Sequence, residues 1–130
     1  MNITDKQYNI SDLFSDSGPF DEQKVVTSLY PIVTIQKKSN KIFFKSIDIS
    51  AIQRILAYAL AKKLLKSKEI LQDEKITAQE VFKETGMKKG TVDPTFKILK
   101  DKGFLVGEVE YEIPTYKIES VIKILVKNSK

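Results

Sequence analysis

The reactive side chains of this sequence are lysines and carboxylates, because its 130 residues include no cysteine, histidine or tryptophan. Structural zinc sites need thiolate or imidazole ligands, disulfide scaffolds need cysteine, and triad-type nucleophilic catalysis almost always needs a histidine base. We therefore expect no enzymatic activity, no metal and no cofactor. The chemistry that remains is that of charge and hydrogen bonding.

Two short motifs contain suitable residue types but lack the pattern of a reactive site. Glu108, Glu110 and Glu112 alternate along a predicted hairpin, where carboxylates without a concave pocket are more typical of a solvated face than of a cation site. Residues 86–91 form a glycine-containing turn without the Gly-Lys-Ser/Thr ending of a phosphate loop. Neither motif indicates catalysis.

The charge is distributed unevenly along the chain. The net charge is +5, yet residues 1–29 contain two lysines and five acids, so the remaining 101 residues have a net charge of +8. A surplus of this size attracts polyanions at long range. Lysine-rich proteins that never bind nucleic acid can have the same composition, so charge alone does not separate the two classes.

The elements that must position these charges begin after an acidic segment. Residues 1–29 are polar with short apolar islands, which predicts a loosely ordered arm before a domain over residues 30–130. Two β-branched and aromatic runs bracket the polar turn Lys37-Lys38-Ser39-Asn40, which predicts a β-hairpin over residues 30–45, the N-terminal hairpin. Apolar residues then recur with helical spacing over residues 49–67, with Asp48 or Ser50 as the N-cap.

A second and a third helix follow in close succession. Thr77 and Glu80 match a capping box, and Gly86 suits the left-handed residue that ends a short helix. After a tight turn, Thr91 is the predicted N-cap of a helix over about residues 91–102. Pro94 would then lie at the third helical position, where no intrahelical N–H bond is lost.

A second β-hairpin, the C-terminal hairpin, is predicted over residues 104–114, with its tip at residues 107–110. Ile76 is expected to pair with its first strand. A last helix opens at Thr115.

This order of elements resembles the winged helix-turn-helix superfamily, and more narrowly small archaeal winged-helix DNA-binding proteins. The likeness rests on the stretch TAQEVFKETGMKKGTVDP from Thr77, continued by residues 99–106, and it covers roughly residues 47–127. It implies a three-helix core with the C-terminal hairpin as the wing. With the N-terminal hairpin, which lies outside the likeness, and the C-terminal helix, the predicted fold class is α+β. Two positions depart from the family pattern. The family usually has a small residue where this chain has Phe82, and often a basic residue where this chain has Asp93.

The resemblance implies that the third helix enters the major groove and that the chain is a sequence-specific double-stranded DNA-binding protein, a cytoplasmic, nucleoid-associated regulator of transcription. Helix amino ends and their flanking side chains commonly bind phosphates, and an aspartate can accept from cytosine. For the turn lysines, a solvated turn is about as frequent as a phosphate contact. The predicted DNA-binding residues are Lys88, Lys89, Thr91, Asp93, Lys97 and Lys100.

A protein-docking winged helix within a larger complex is the alternative. Gly90, Asp93, Pro94, Lys97 and Asp101 point outward on a helical wheel, and two carboxylates are a poor match for phosphates. A homodimer is a further expectation, because two DNA half-sites would require one. No stretch approaches the roughly 18 apolar residues of a membrane span, so we expect no membrane partner.

Overall fold

The computed structural model describes residues 20–45 and 48–127. In this part of the chain the fold is α+β, with five α-helices and two small antiparallel sheets. The elements in chain order are α1 (Glu22–Leu29), β1 (Val33–Ile35), β2 (Ile42–Phe44), α2 (Ala51–Ser67), α3 (Ala78–Thr85), α4 (Lys89–Asp101), β3 (Val106–Gly107), β4 (Tyr111–Glu112) and α5 (Ile118–Lys127). No helix among these residues combines the length and the apolar character that crossing a membrane requires.

Helix α2 is the centre of the core. Ser50 caps it by accepting from the Gln53 amide, and the Gln53 side chain accepts in return from the Ser50 amide, so Ser50 and not Asp48 is the N-cap of the two that were predicted. Ile55, Leu56 and Leu60 are fully buried, and α2 packs against α1, α3, α4 and α5. The other four helices therefore all pack around α2.

The predicted boundary between a loosely ordered arm and the domain is wrong for residues 22–29. These residues form α1, which Asp21 caps through the Lys24 amide. Val25 and Leu29 are buried because their spacing of four residues puts both on the face that packs against α2 and α5. The rest of the predicted arm, residues 1–19, lies outside the described residues.

The short helix α3 begins and ends as the sequence predicts. The Thr77 hydroxyl accepts from the Glu80 amide at 3.0 Å, and Gly86 ends the helix with φ +75°. The second half of the predicted capping box is wrong, because the Glu80 carboxylate does not bond back to Thr77. It accepts instead from two side chains of α2, which gives it charge-assisted bonds to another element.

The third predicted helix, α4, has its N-cap three residues earlier than expected. Lys88 is its N-cap, so the prediction of Thr91 as N-cap is wrong, and the amides of Thr91 and Val92 both donate to the Lys88 carbonyl. Pro94 consequently lies at the sixth helical position, where its ring removes the bond that the Gly90 carbonyl would otherwise accept. The helix continues because Val92, Phe96 and Leu99 are buried.

Both predicted hairpins are present. In the N-terminal hairpin Val33 pairs with Phe44, and in the C-terminal hairpin Val106 pairs with Glu112. The predicted pairing of Ile76 with the first strand of the C-terminal hairpin is wrong, because Ile76 exchanges backbone bonds with Tyr111 in β4. A 3₁₀ turn, Thr115–Lys117, then leads into α5.

Candidate functional site

The predicted DNA-binding residues lie along the exposed side of α4 and its N-cap. All six are exposed, and among the described residues none of them forms an ion pair. They do not form one cluster, because Lys88 and Lys100 are twelve residues apart, about 18 Å along a helix axis. Lys100 lies over the Tyr111 ring at 6.0 Å, beside the C-terminal hairpin.

The amino end of α4 combines two exposed lysines with an uncapped helix start. Lys88 and Lys89 occupy the N-cap and first helical positions, and no side chain caps the helix. The Thr91 side chain is exposed beside them, and the Thr91 backbone carbonyl accepts from the Thr95 hydroxyl at 2.6 Å. This end therefore presents positive charge together with backbone donors, the combination that binds anions.

A groove of about 360 Å³ separates α3 from the first turns of α4. Its lining residues are Ala78, Gln79, Phe82, Lys89 and Asp93. The Phe82 side chain, large where the resembled family has a small residue, is 42% exposed. Phe82 faces the groove, whereas the neighbouring Val81 is fully buried and packs into the core.

A partly buried polar network attaches α3 to α2. The Glu80 carboxylate accepts from the Tyr58 hydroxyl at 2.6 Å and from the Lys62 ammonium at 2.7 Å. Burial raises the pKa of Tyr58 above its ordinary value, and the hydrogen bond to Glu80 raises it further. Tyr58 therefore remains a neutral donor. The network holds α3 against α2, and α3 is followed directly by the turn and α4.

The N-terminal hairpin lies beside the end of α3, a position that sequence reasoning missed. Strand β2 packs against α3, and the Lys41 ammonium lies 3.9 Å from the Glu84 carboxylate. The tip residues Lys37 and Lys38 are exposed. The basic character of this hairpin was visible in the sequence, because residues 30–45 include four lysines and no acid, but its position beside α3 was not.

The C-terminal hairpin has the opposite charge. Glu108 and Glu110 are exposed at its tip, Glu112 is half-buried, and residues 104–114 include no lysine or arginine. The Tyr111 ring packs against Phe96 of α4 with ring centroids 5.1 Å apart. Helix α4 thus has a basic surface near its amino end and an acidic hairpin after its carboxyl end.

Within residues 20–45 and 48–127, no three acidic side chains are grouped so that they could hold a metal ion. Comparison of the chain with protein-family models, with curated proteins and with solved structures gave no significant match. The residues themselves are therefore the basis for a functional assignment.

Proposed function

We propose that the chain is a winged helix-turn-helix protein that binds double-stranded DNA with sequence specificity and regulates transcription. The order α2, Ile76 bridge, α3, α4 and C-terminal hairpin agrees with the helix-turn-helix and wing that the sequence resembles. In this arrangement α4 is the recognition helix and enters the major groove.

The exposed amino end of α4 is the observation that carries the proposal. Lys88 and Lys89 have no anionic partner among the described residues, and no side chain caps the helix, so a backbone phosphate can accept from both lysine side chains and from the amides of Lys89 and Gly90. These contacts hold the protein on the duplex but read no sequence. They account for affinity and orientation.

The turns of α4 that follow its amino end contact the DNA bases and so recognise the base sequence. Asp93 and Lys97 are exposed and four residues apart on one face. An aspartate accepts from the cytosine N4 amino group, and a lysine donates to guanine O6 and N7. Because Asp93 repels phosphates, this face favours a matching sequence over nonspecific binding.

The proposal is tested by removing the turn lysines. The double variant Lys88→Ala, Lys89→Ala should bind a labelled random duplex at least tenfold more weakly than the wild type in fluorescence anisotropy at low salt. The matched control is Lys123→Ala, Lys127→Ala, which removes the same charge from exposed positions on α5. Equal affinities of the two variants, both folded by circular dichroism, would remove the turn from the DNA-binding surface.

Docking to another protein is the second candidate, and the groove between α3 and α4 favours it. Phe82, which lines this groove, is 42% exposed, and an aromatic side chain on an exposed surface is typical of protein contacts. If this candidate is right, the wild type does not bind duplex even at low salt. Phe82→Ala would then weaken capture of a partner from the native host while leaving the fold intact.

A homodimer stays a prediction that follows from half-site recognition. Sedimentation equilibrium of the full chain, alone and with a duplex of about 25 base pairs, measures it. A 1:1 complex at saturation would limit recognition to a single half-site.

A further inference from the structure

We propose that the N-terminal hairpin is a second contact to the DNA duplex, with Lys37 and Lys38 bound to backbone phosphates beside the amino end of α4. This inference rests on the DNA binding proposed above. It adds a contact surface outside the resembled region and sets the path of the duplex across the protein.

The charge of the hairpin tip is available to an external anion. Lys45, at the base, donates to the Tyr30 carbonyl at 2.7 Å and lies over the Tyr30 ring. Lys41 lies near Glu84, whereas Lys37 and Lys38 have no acidic partner among the described residues. Two lysines therefore lie exposed at the tip, and no acidic side chain in residues 20–45 and 48–127 pairs with them.

The tip is closed by its own hydrogen bonds. The Gln36 amide donates to the Lys41 carbonyl, and the Asn40 amide donates to the Gln36 carbonyl, both at 2.9 Å. The Ser39 hydroxyl donates to the Gln36 side chain at 2.7 Å, and Asn40 adopts the left-handed conformation with φ +59°. The backbone of the lysine turn is thus ordered before binding, which lowers the entropy cost of a phosphate contact.

The hairpin and the helix-turn-helix share one side of the molecule. Strand β2 packs against α3, Ile42 of this strand is buried in the core, and the Lys41 ammonium lies near the Glu84 carboxylate at the end of α3. Lys88 follows Glu84 by four residues, so its Cα lies at most about 14 Å from that of Glu84. A duplex bound at the amino end of α4 therefore passes close to the hairpin tip.

The acidic C-terminal hairpin makes the opposite path unfavourable. Its exposed Glu108 and Glu110 follow the carboxyl end of α4, and phosphates placed there would meet like charge. The N-terminal hairpin thus makes the flanking contact that a wing would otherwise make. The duplex runs over the turn before α4 and over the tip of the N-terminal hairpin. Its phosphate backbone does not contact the C-terminal hairpin.

The test is the salt dependence of duplex binding by the full chain, measured by anisotropy for four proteins. These are the wild type, Lys37→Ala with Lys38→Ala, Lys37→Arg with Lys38→Arg, and the control Lys123→Ala with Lys127→Ala. Loss of two phosphate contacts should reduce the slope of log affinity against log salt by about 1.8. If the affinity extrapolated to 1 M salt is unchanged, this slope corresponds to roughly 60-fold weaker binding at 0.1 M salt. The arginine variant should keep the wild-type slope.

The outcomes separate the two proposals. If the wild type binds and the alanine hairpin variant matches the α5 control in slope and affinity, the hairpin contact is overturned while α4 remains the binding element. If the wild type does not bind any duplex at 20 mM salt, the proposed function itself fails. A reduced slope restored by arginine supports the hairpin contact.

The path of the duplex has its own test. Glu108→Gln with Glu110→Gln should change the affinity by less than about threefold at 0.15 M salt, because charges beyond the Debye length of about 8 Å are largely screened. A tenfold or greater gain would mean that the C-terminal hairpin lies against the phosphates, and it would overturn the proposed path.

Discussion

Replacing Glu80 by alanine should loosen the attachment of the helix-turn-helix to α2. The carboxylate accepts from the Tyr58 hydroxyl and the Lys62 ammonium, and Tyr58 is only 5% exposed. Truncation leaves a buried hydroxyl without its acceptor and removes a charge-assisted bond. Each effect is worth about 1–3 kcal/mol, and because they overlap we expect a total loss of about 3 kcal/mol in the free energy of unfolding. For a chain of this length the loss corresponds to a decrease of roughly 12 °C in the melting temperature.

The matched control is Glu84→Ala, one turn further along the same helix. Glu84 has only a largely exposed ion pair at 3.9 Å, so its removal should cost less than about 1 kcal/mol. Urea unfolding followed by circular dichroism measures both variants, with Tyr58→Phe and the Tyr58→Phe, Glu80→Ala double variant completing a cycle. Equal stability losses for Glu80→Ala and Glu84→Ala would refute the role assigned to the network.

Three further perturbations test other parts of the structure. Because the native state keeps the Tyr58 proton while the unfolded state ionises near the ordinary pKa of 10.0, the stability advantage of wild type over Tyr58→Phe should shrink by about 1.4 kcal/mol per pH unit above 10; a constant difference in urea titrations would contradict this. Glu74→Gln should cost about 3 kcal/mol in chemical unfolding because it leaves the buried Lys63 ammonium without its anion, whereas a loss below 1 kcal/mol would mean that water already solvates this pair. Gly107→Ala should cost about 1–3 kcal/mol, since φ is +134° and a Cβ would lie 1.9 Å from the Glu110 carbonyl oxygen; an unchanged melting temperature would show that the tip rearranges freely.

Elements with strong local signals were predictable from the sequence. Ser50, Thr77 and Gly86 mark helix ends where a side chain or a left-handed backbone satisfies the terminal amides or carbonyls, and the structure uses each of them at the predicted position. Both hairpins also followed from β-branched runs around polar turns. These features depend on neighbouring residues, so a single sequence contains them.

Features that depend on distant contacts were not predictable in the same way. Helix α1 has only two buried residues of high apolarity, Val25 and Leu29, and α2 and α5 supply the surface that stabilises it. Glu80 was expected to cap its own helix because the local pattern contains no information on Tyr58 and Lys62.

For the candidate site, the sequence identified the exposed residues but not their neighbours. Asp93 and Lys97 are exposed as the helical wheel predicted, whereas Lys88 and Lys89, predicted in the turn, are the exposed N-cap and first residue of α4. The proximity of the N-terminal hairpin to α3 could not be inferred, because more than 40 residues separate Lys41 from Glu84.

The most direct test of the central claim is a two-dimensional amide spectrum of the ¹⁵N-labelled full chain, titrated with a random duplex at low salt. We predict that the amides of Lys88, Lys89 and Thr91 shift first, together with those of the hairpin tip, while α5 amides stay in place. No shifts at a duplex excess, or shifts confined to α1 and α5, would contradict DNA binding through the amino end of α4.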